Sequence, residues 1–126
     1  MDEADTAEVA ALRAIVAAMP GAVGEPLARF RRVALYKVCG KMFAILTAGE
    51  RGNVILKCDP YRAEMLREQY EGVGHRSHLD RRFWIAVDLG ADVPDDEIAD
   101  LARHSYDLVR AGLTRKQRAE LDGLSA

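Results

Sequence analysis

Several features that define familiar protein classes are scarce or absent in this chain of 126 residues. Its two cysteines, Cys39 and Cys58, lie in apolar runs without a CxxC partner, which predicts two buried thiols and no disulfide. No apolar run approaches the roughly 20 residues that cross a bilayer. The acidic start, residues 1–5, lacks the basic region of a secretory signal. We therefore expect a cytoplasmic protein that does not act on a membrane.

Catalytic signatures are absent as well. The chain contains no GxSxG, HExxH or GxGxxG motif, and Gly40-Lys41 lacks the rest of a phosphate-binding loop. His75 and His78 are spaced like a pair of metal ligands, but a site would need further ligands and only Cys58 or Asp80 offers one. Histidines that form hydrogen bonds or lend partial charge to a phosphate are expected instead. Cys39 has no evident base that would make it a nucleophile. We expect no enzymatic activity, no metal and no cofactor.

What the chain does have is a concentration of positive charge in its middle. Residues 29–82 contain twelve Lys and Arg against six Asp and Glu, a net charge of +6, although the whole chain is at −2. Residues 1–28 and 83–126 each carry a net charge of −4. A basic centre between acidic ends indicates a surface that meets a polyanion, and phosphate is the common one.

Composition and periodicity predict the fold. A chain with 49% hydrophobic and 30% charged residues is typical of a soluble globular protein, and its length suits one domain over residues 1–126. Asp5 and Glu8 are placed as a capping box for the first helix, and Asp59 caps the second. The predicted elements are a helix at 9–19, strands at 33–39, 42–47 and 54–58, a helix from 59, a strand at 83–87, and helices from 94 and 114. The order α-β-β-β-α-β-α-α indicates an α+β domain with helices packed on an antiparallel sheet.

Positive side chains on or beside these strands are the candidate phosphate partners. A lysine within a strand can simply protect a sheet edge from association. Cations that come from several segments and meet on one compact sheet fit a phosphate backbone better. The candidate DNA-binding cations are Arg31, Arg32, Lys37, Lys41, Lys57, Arg81 and Arg82, with Arg76 in the same loop as the last two. His78 and Trp84 are expected nearer the bases, although the apolar neighbours of Trp84 are also typical of a core anchor.

Two other functions fit the same charge pattern. The basic sheet can dock an acidic protein partner, or another copy of the chain through its acidic helices. A site between the loop at His78 and the strands can also hold a phosphorylated or carboxylated small molecule.

Four strings along the chain resemble the MmcQ/YjbR family of bacterial proteins, which are usually described as DNA-binding. The strings cover residues 36–44, 56–60, 78–84 and 104–109. The positions that match the family pattern are Lys37, Gly40, Lys41, Phe43, Lys57, Asp59, His78, Leu79 and Trp84. The chain departs from it at Cys39, where the family commonly has glycine, and a side chain there is expected to stiffen the turn or change its type.

The resemblance implies a particular version of the α+β fold. It implies a curved antiparallel sheet that carries a double-wing surface, similar to the DNA-binding domain of a phage transcription activator. Within that fold, the matched lysines would lie on the DNA-binding surface.

Overall fold

A computed structural model describes residues 5–27, 29–75 and 77–125, which contain four helices and six strands. The helices are α1 (Ala7–Ala17), α2 (Pro60–Gln69), α3 (Asp95–Ala111) and α4 (Arg115–Ser125). The strands are β1 (Ala22–Leu27), β2 (Phe30–Val38), β3 (Lys41–Thr47), β4 (Asn53–Lys57), β5 (Val73–Gly74) and β6 (Trp84–Asp88). All neighbours pair antiparallel in the order β1-β2-β3-β4-β6-β5. The predicted α+β class, with helices packed on an antiparallel sheet, is confirmed.

The sheet has two strands that the sequence does not reveal, and both lie at its edges. β1 contains Gly24 and Pro26, which indicate a loop, yet an edge strand tolerates both because only one of its sides needs hydrogen bonds. The ring of Tyr36 would lie 2.8 Å from a Cβ atom at Gly24, so this glycine also permits close packing. β5 is two residues long, which is too short for alternation to be recognised.

The start of α1 differs from its prediction. Thr6, and not Asp5, caps the helix, because Thr6 Oγ1 accepts a hydrogen bond from the backbone N–H of Val9 at 3.3 Å. Asp5 instead pairs with Arg13 at 2.8 Å, and the hydrogen bond from that guanidinium lowers the pKa of the Asp5 carboxyl. The predicted cap of α2 is confirmed, since the Asp59 carboxylate accepts the backbone N–H of Arg62 in the first turn of that helix at 3.1 Å.

Side chains alternate between two faces of the sheet. One face forms the hydrophobic core with α1 and α3. Its fully buried strand residues include Val38, Leu46, Val54, Leu56 and Val87. The opposite face, which we call the open face, carries Leu35, Ile45, Ile55 and Ala86 as successive cross-strand partners. Leu35, Ile45 and Ile55 lie outside the core, whereas Ala86 is buried.

A β-bulge near the start of β3 reverses this alternation. The register shifts so that Tyr36 pairs with Ala44 and Lys37 pairs with Met42, which leaves Phe43 as the extra residue. Phe43 and Ala44 are both fully buried, and the Phe43 ring packs edge-on against Tyr106 of α3 with centroids 5.4 Å apart. The bulge therefore turns Met42 toward the open face, beside Lys37.

The β2–β3 turn accommodates a side chain where glycine is common in the family. Cys39 and Gly40 have φ values of 49° and 78°, so both central residues of this two-residue hairpin loop are left-handed. Cys39 is exposed, and the prediction of a buried thiol is wrong at this position. Cys58 is buried as predicted, and burial raises the pKa of its thiol to about 11.

Candidate nucleic-acid interface

Most of the predicted site residues lie at one end of the sheet. We call this the upper end, and it is where β2 and β4 finish and β3 and β6 begin. The register fixes the arrangement, because Lys37 lies opposite Met42 and Lys57 lies opposite Trp84. The loop of residues 77–83 enters β6 at the same end. The predicted residues found there are Lys37, Lys41, Lys57, His78, Arg81, Arg82 and Trp84.

Lys37 is partly neutralised by a carboxylate on the edge strand. Its Nζ lies 3.1 Å from Glu25 Oε2, and the two side chains are 31% and 50% exposed. An ion pair this exposed contributes about 0–1 kcal/mol. A phosphate can therefore compete with Glu25 for the ammonium group at little cost.

Lys57 and Trp84 are cross-strand neighbours on the open face. Within the described part of the chain, no carboxylate lies within ion-pair distance of Lys57, and the same holds for Lys41. Trp84 is partly exposed and lies outside the hydrophobic core, so it is not the core anchor that its apolar neighbours suggested. An aromatic ring and an unpaired ammonium group thus stand side by side.

A buried serine fixes the backbone beneath this pair. Ser105 of α3 is fully buried, and its hydroxyl donates to the Phe43 carbonyl at 2.6 Å while accepting the N–H of Lys57 at 2.8 Å. It thereby satisfies two backbone groups that the bulge leaves without ladder partners. The sequence signal for this role is a polar residue on the apolar side of a predicted helix.

Arg67 of α2 holds the loop that carries the arginines. Its Nη2 donates to the carbonyl of Arg81 at 2.6 Å and to that of Trp84 at 2.9 Å. Burial, followed by repulsion from the Arg81 guanidinium, lowers the pKa of Arg67. Sequence reasoning missed this residue, because an arginine on a helix gives no sign that its partners are backbone carbonyls of a distant loop.

Arg82 has a local carboxylate partner. Asp80 accepts hydrogen bonds from both the side chain and the backbone N–H of Arg82, with 2.8 Å between Arg82 Nη2 and Asp80 Oδ2. These bonds lower the pKa of Asp80 to about 2. The guanidinium also lies 5.3 Å from the centre of the Phe83 ring. Arg82 is therefore oriented by its neighbours and only partly available for a phosphate.

The two loop histidines differ in their surroundings. His75 Nε2 lies 2.5 Å from the carbonyl oxygen of Leu79, which fits the predicted hydrogen-bonding histidine. His78 is exposed. The described residues contain no group of three or more His, Cys, Asp or Glu side chains that could hold a metal ion.

Among the arginines grouped with this site, the described side chain that lies away from the upper end is Arg32. Arg32 lies near the start of β2, about 17 Å from Lys37 along the strand, and its guanidinium packs near Gly49. Arg31 precedes it in β2, and its side chain falls outside the described part of the structure, as does the whole of Arg76. The seven cations chosen from the sequence are therefore not one cluster.

Among the described cavities, a groove between α2 and the loop of residues 77–83 lies nearest the expected small-ligand site. Its lining combines three arginines with two glutamates: Arg67, Arg81, Arg82, Glu64 and Glu68, together with Pro60. The two glutamates offset part of the positive charge of the arginines, and the small-ligand site stays a prediction.

The fold and this end of the sheet define an α+β protein with an open antiparallel sheet and a cation-rich sheet end. A sequence model of the YjbR family matches residues 17–108. The chain therefore belongs to the YjbR family, as its motifs suggested. Within the described residues, no helix combines the length and the apolar character that crossing a membrane requires.

Known relatives agree with this assignment. The chain is 38% identical over 71 residues to the uncharacterised protein YjbR of Escherichia coli K12, covering 56% of this chain and 60% of that protein. It is 28% identical over 86 residues to the uncharacterised protein YbdF of Escherichia coli O157:H7, covering 67% of this chain and 70% of that protein.

Solved structures share the fold. Protein DR2400 of Deinococcus radiodurans, a DUF419 domain, is 30% identical with a TM-score of 0.80, and the match covers 90% of this chain and 87% of that one. A Pseudomonas syringae protein is similar in fold, with 21% identity, a TM-score of 0.65, and coverage of 75% of this chain and 92% of that one.

Proposed function

We propose that this protein binds DNA through contacts between the cations of the upper end and the phosphate backbone. The observation that supports this most is that five cations from four separate segments meet at one end of the sheet. They are Lys37, Lys41, Lys57, Arg81 and Arg82.

The positive charge at the upper end is only partly neutralised by carboxylates, so some cations are available to phosphates. Lys37 and Arg82 have carboxylate partners, whereas Lys41, Lys57 and Arg81 have none within ion-pair distance among the described residues. Each phosphate neutralised contributes about −0.9 to the slope of log affinity against log salt. Three unpaired cations therefore predict a slope of about −2.7 on duplex DNA.

Phosphate contacts alone carry no sequence information. His78 is exposed and Trp84 is partly exposed at the same end, so these two side chains are the candidates for contact with bases. The proposal is accordingly for a DNA-binding protein whose affinity is mainly electrostatic.

The proposal is for a binding protein and not for an enzyme. The buried Cys58 thiol has a pKa of about 11, which disfavours the nucleophilic thiolate at neutral pH. The Ser105 hydroxyl is fully buried and donates to a backbone carbonyl, so it is not available for attack on a substrate.

Fluorescence anisotropy with a labelled duplex between about 50 and 200 mM salt tests the proposal. The triple variant Lys41→Ala/Lys57→Ala/Arg81→Ala should bind more weakly, and its salt slope should be smaller in magnitude by about 2.7. The control Arg29→Ala/Arg51→Ala removes two exposed arginines from turns at the opposite end of the sheet, and its loss is compared with that of the triple variant per charge removed. Absence of binding at low salt, or equal losses per charge in the two variants, would refute the proposal.

A second candidate is the docking of an acidic protein partner at the same end. The observation in its favour is that carboxylates already pair with two of these cations, Lys37 with Glu25 and Arg82 with Asp80. Capture of partners from a nuclease-treated lysate separates the two functions. Retention of a specific acidic protein, lost in the triple variant, would favour this candidate over DNA.

A further inference from the structure

The open face carries a continuous apolar row across four strands. Leu35, Ile45, Ile55 and Ala86 are successive cross-strand partners, and the first three lie outside the hydrophobic core. Ala86 is 1% exposed and counts among the buried core residues, whereas Leu35, Ile45 and Ile55 are each partly exposed. The open face is therefore an apolar surface in its own right.

A second row, nearer the upper end, places cations beside large side chains. Lys37 pairs with Met42, and Lys57 pairs with Trp84. The strands of the two lysines are separated only by β3, which puts their backbones about 10 Å apart. Two positive charges thus border the apolar row at its upper side.

The carboxylates of the open face lie away from the Lys57–Trp84 pair. Glu25 is on the edge strand β1, beside Lys37, and Asp88 is at the opposite end of β6 from Trp84. The charge on this face is therefore positive next to Trp84. The open face therefore fits a ligand that combines an anionic backbone with apolar, planar groups.

Such a face fits duplex DNA poorly, because the base faces are stacked inside the double helix and only phosphates and base edges in the grooves are accessible. An unpaired strand exposes base faces, which stack on aromatic side chains while the backbone meets cations. We propose that the open face binds single-stranded nucleic acid, with a base stacked on Trp84 and phosphates held by Lys37 and Lys57. This inference rests on the proposed function and makes unpaired strands the preferred ligand, with duplex DNA bound more weakly.

The single tryptophan of the chain makes the inference directly measurable. Intrinsic fluorescence and anisotropy are followed while the protein is titrated with a thymidine homopolymer strand or with a duplex of the same length. The single strand should bind at least tenfold more tightly and should quench Trp84, whereas the duplex should leave its fluorescence nearly unchanged. Loss of one stacked base corresponds to about a 5- to 150-fold loss of affinity, which is the expected effect of Trp84→Ala on the single strand.

Variants separate stacking from folding defects. Trp84→Phe keeps an aromatic face and should retain most of the affinity for the single strand. Phe30→Ala is the control, because it removes a 57% exposed aromatic ring far from this row and should leave that affinity unchanged. If Trp84→Ala does not fold, Leu35→Glu tests the same surface by placing a carboxylate in the apolar row, and it should abolish the preference for the single strand. Equal affinity for both ligands without quenching would overturn this inference and leave the proposed function standing. Binding to neither would overturn both.

Discussion

Replacing Ser105 with alanine tests how the helix layer supports the upper end of the sheet. The change removes one hydroxyl that is fully buried and that joins the Phe43 carbonyl, at 2.6 Å, to the Lys57 N–H, at 2.8 Å. Both backbone groups then remain buried without a partner, and each such group costs about 1–3 kcal/mol. Two such groups allow a cost of about 2–6 kcal/mol, and we expect Ser105→Ala to lower the free energy of unfolding by the lower part of that range, about 2–4 kcal/mol.

Urea denaturation followed by circular dichroism measures this loss. With an m-value of about 2 kcal/mol/M, the midpoint should fall by about 1–2 M. Ser77→Ala is the control. Within the described residues, Ser77 accepts one hydrogen bond, from the N–H of Leu79 in the same loop, so its loss should cost less than about 1 kcal/mol. A loss below about 1 kcal/mol for Ser105→Ala would show that water or a backbone shift satisfies the two groups, and would refute this account of the bulge.

Three further predictions follow from local geometry. Cys39→Gly should raise the free energy of unfolding by up to about 1 kcal/mol in urea melts. The left-handed φ of 49° costs a residue with a Cβ about 1–2 kcal/mol, and glycine avoids this cost but loses part of the gain to backbone entropy. A loss of stability would contradict the left-handed conformation of this turn. The Asp80 carboxyl should titrate by NMR near pH 2, below its usual 3.8, so its pair with Arg82 favours the folded state above about pH 4 and is lost as pH falls through about 2. Arg82→Ala should return this titration toward the usual value, and an unchanged midpoint would exclude the pair as its cause. Arg67→Ala should speed hydrogen exchange at the amides of Phe83 and Trp84, because the loop loses two hydrogen bonds; unchanged exchange would show that the loop is held by other contacts.

The sequence predicts the fold where periodicity is strong and fails where tertiary context decides. α3 and the central strands β3 and β4 follow from apolar spacing alone. The edge strand β1 does not, because Gly24 and Pro26 are normal at a sheet edge but look like loop residues in sequence. Cys39 was assigned to an apolar run, whereas the tight hairpin that follows requires it to lie in the turn.

The candidate site was predictable in part for a related reason. The charge pattern predicts that basic side chains between Lys37 and Trp84 form the site. That these side chains come together at one end of the sheet depends on the strand register, which cannot be read from the sequence. Arg32 was grouped with Lys37 by proximity in sequence, and a strand separates them by about 17 Å. Arg67 acts on backbone carbonyls of a distant loop, and no local pattern marks such a contact. Ser105 is marked only as a polar residue on the apolar side of α3, which does not reveal its two backbone partners.

The central claim is that phosphates bind at the upper end of the sheet, and mapping DNA contacts by NMR tests it most directly. In a titration of isotope-labelled protein with DNA at low salt, the largest amide shifts are expected at residues 37–41, at Lys57 and in the loop 77–84. Amides near Arg29 and Arg51, at the opposite end of the sheet, should shift little. Shifts spread evenly over the surface, or concentrated at that opposite end, would contradict the account.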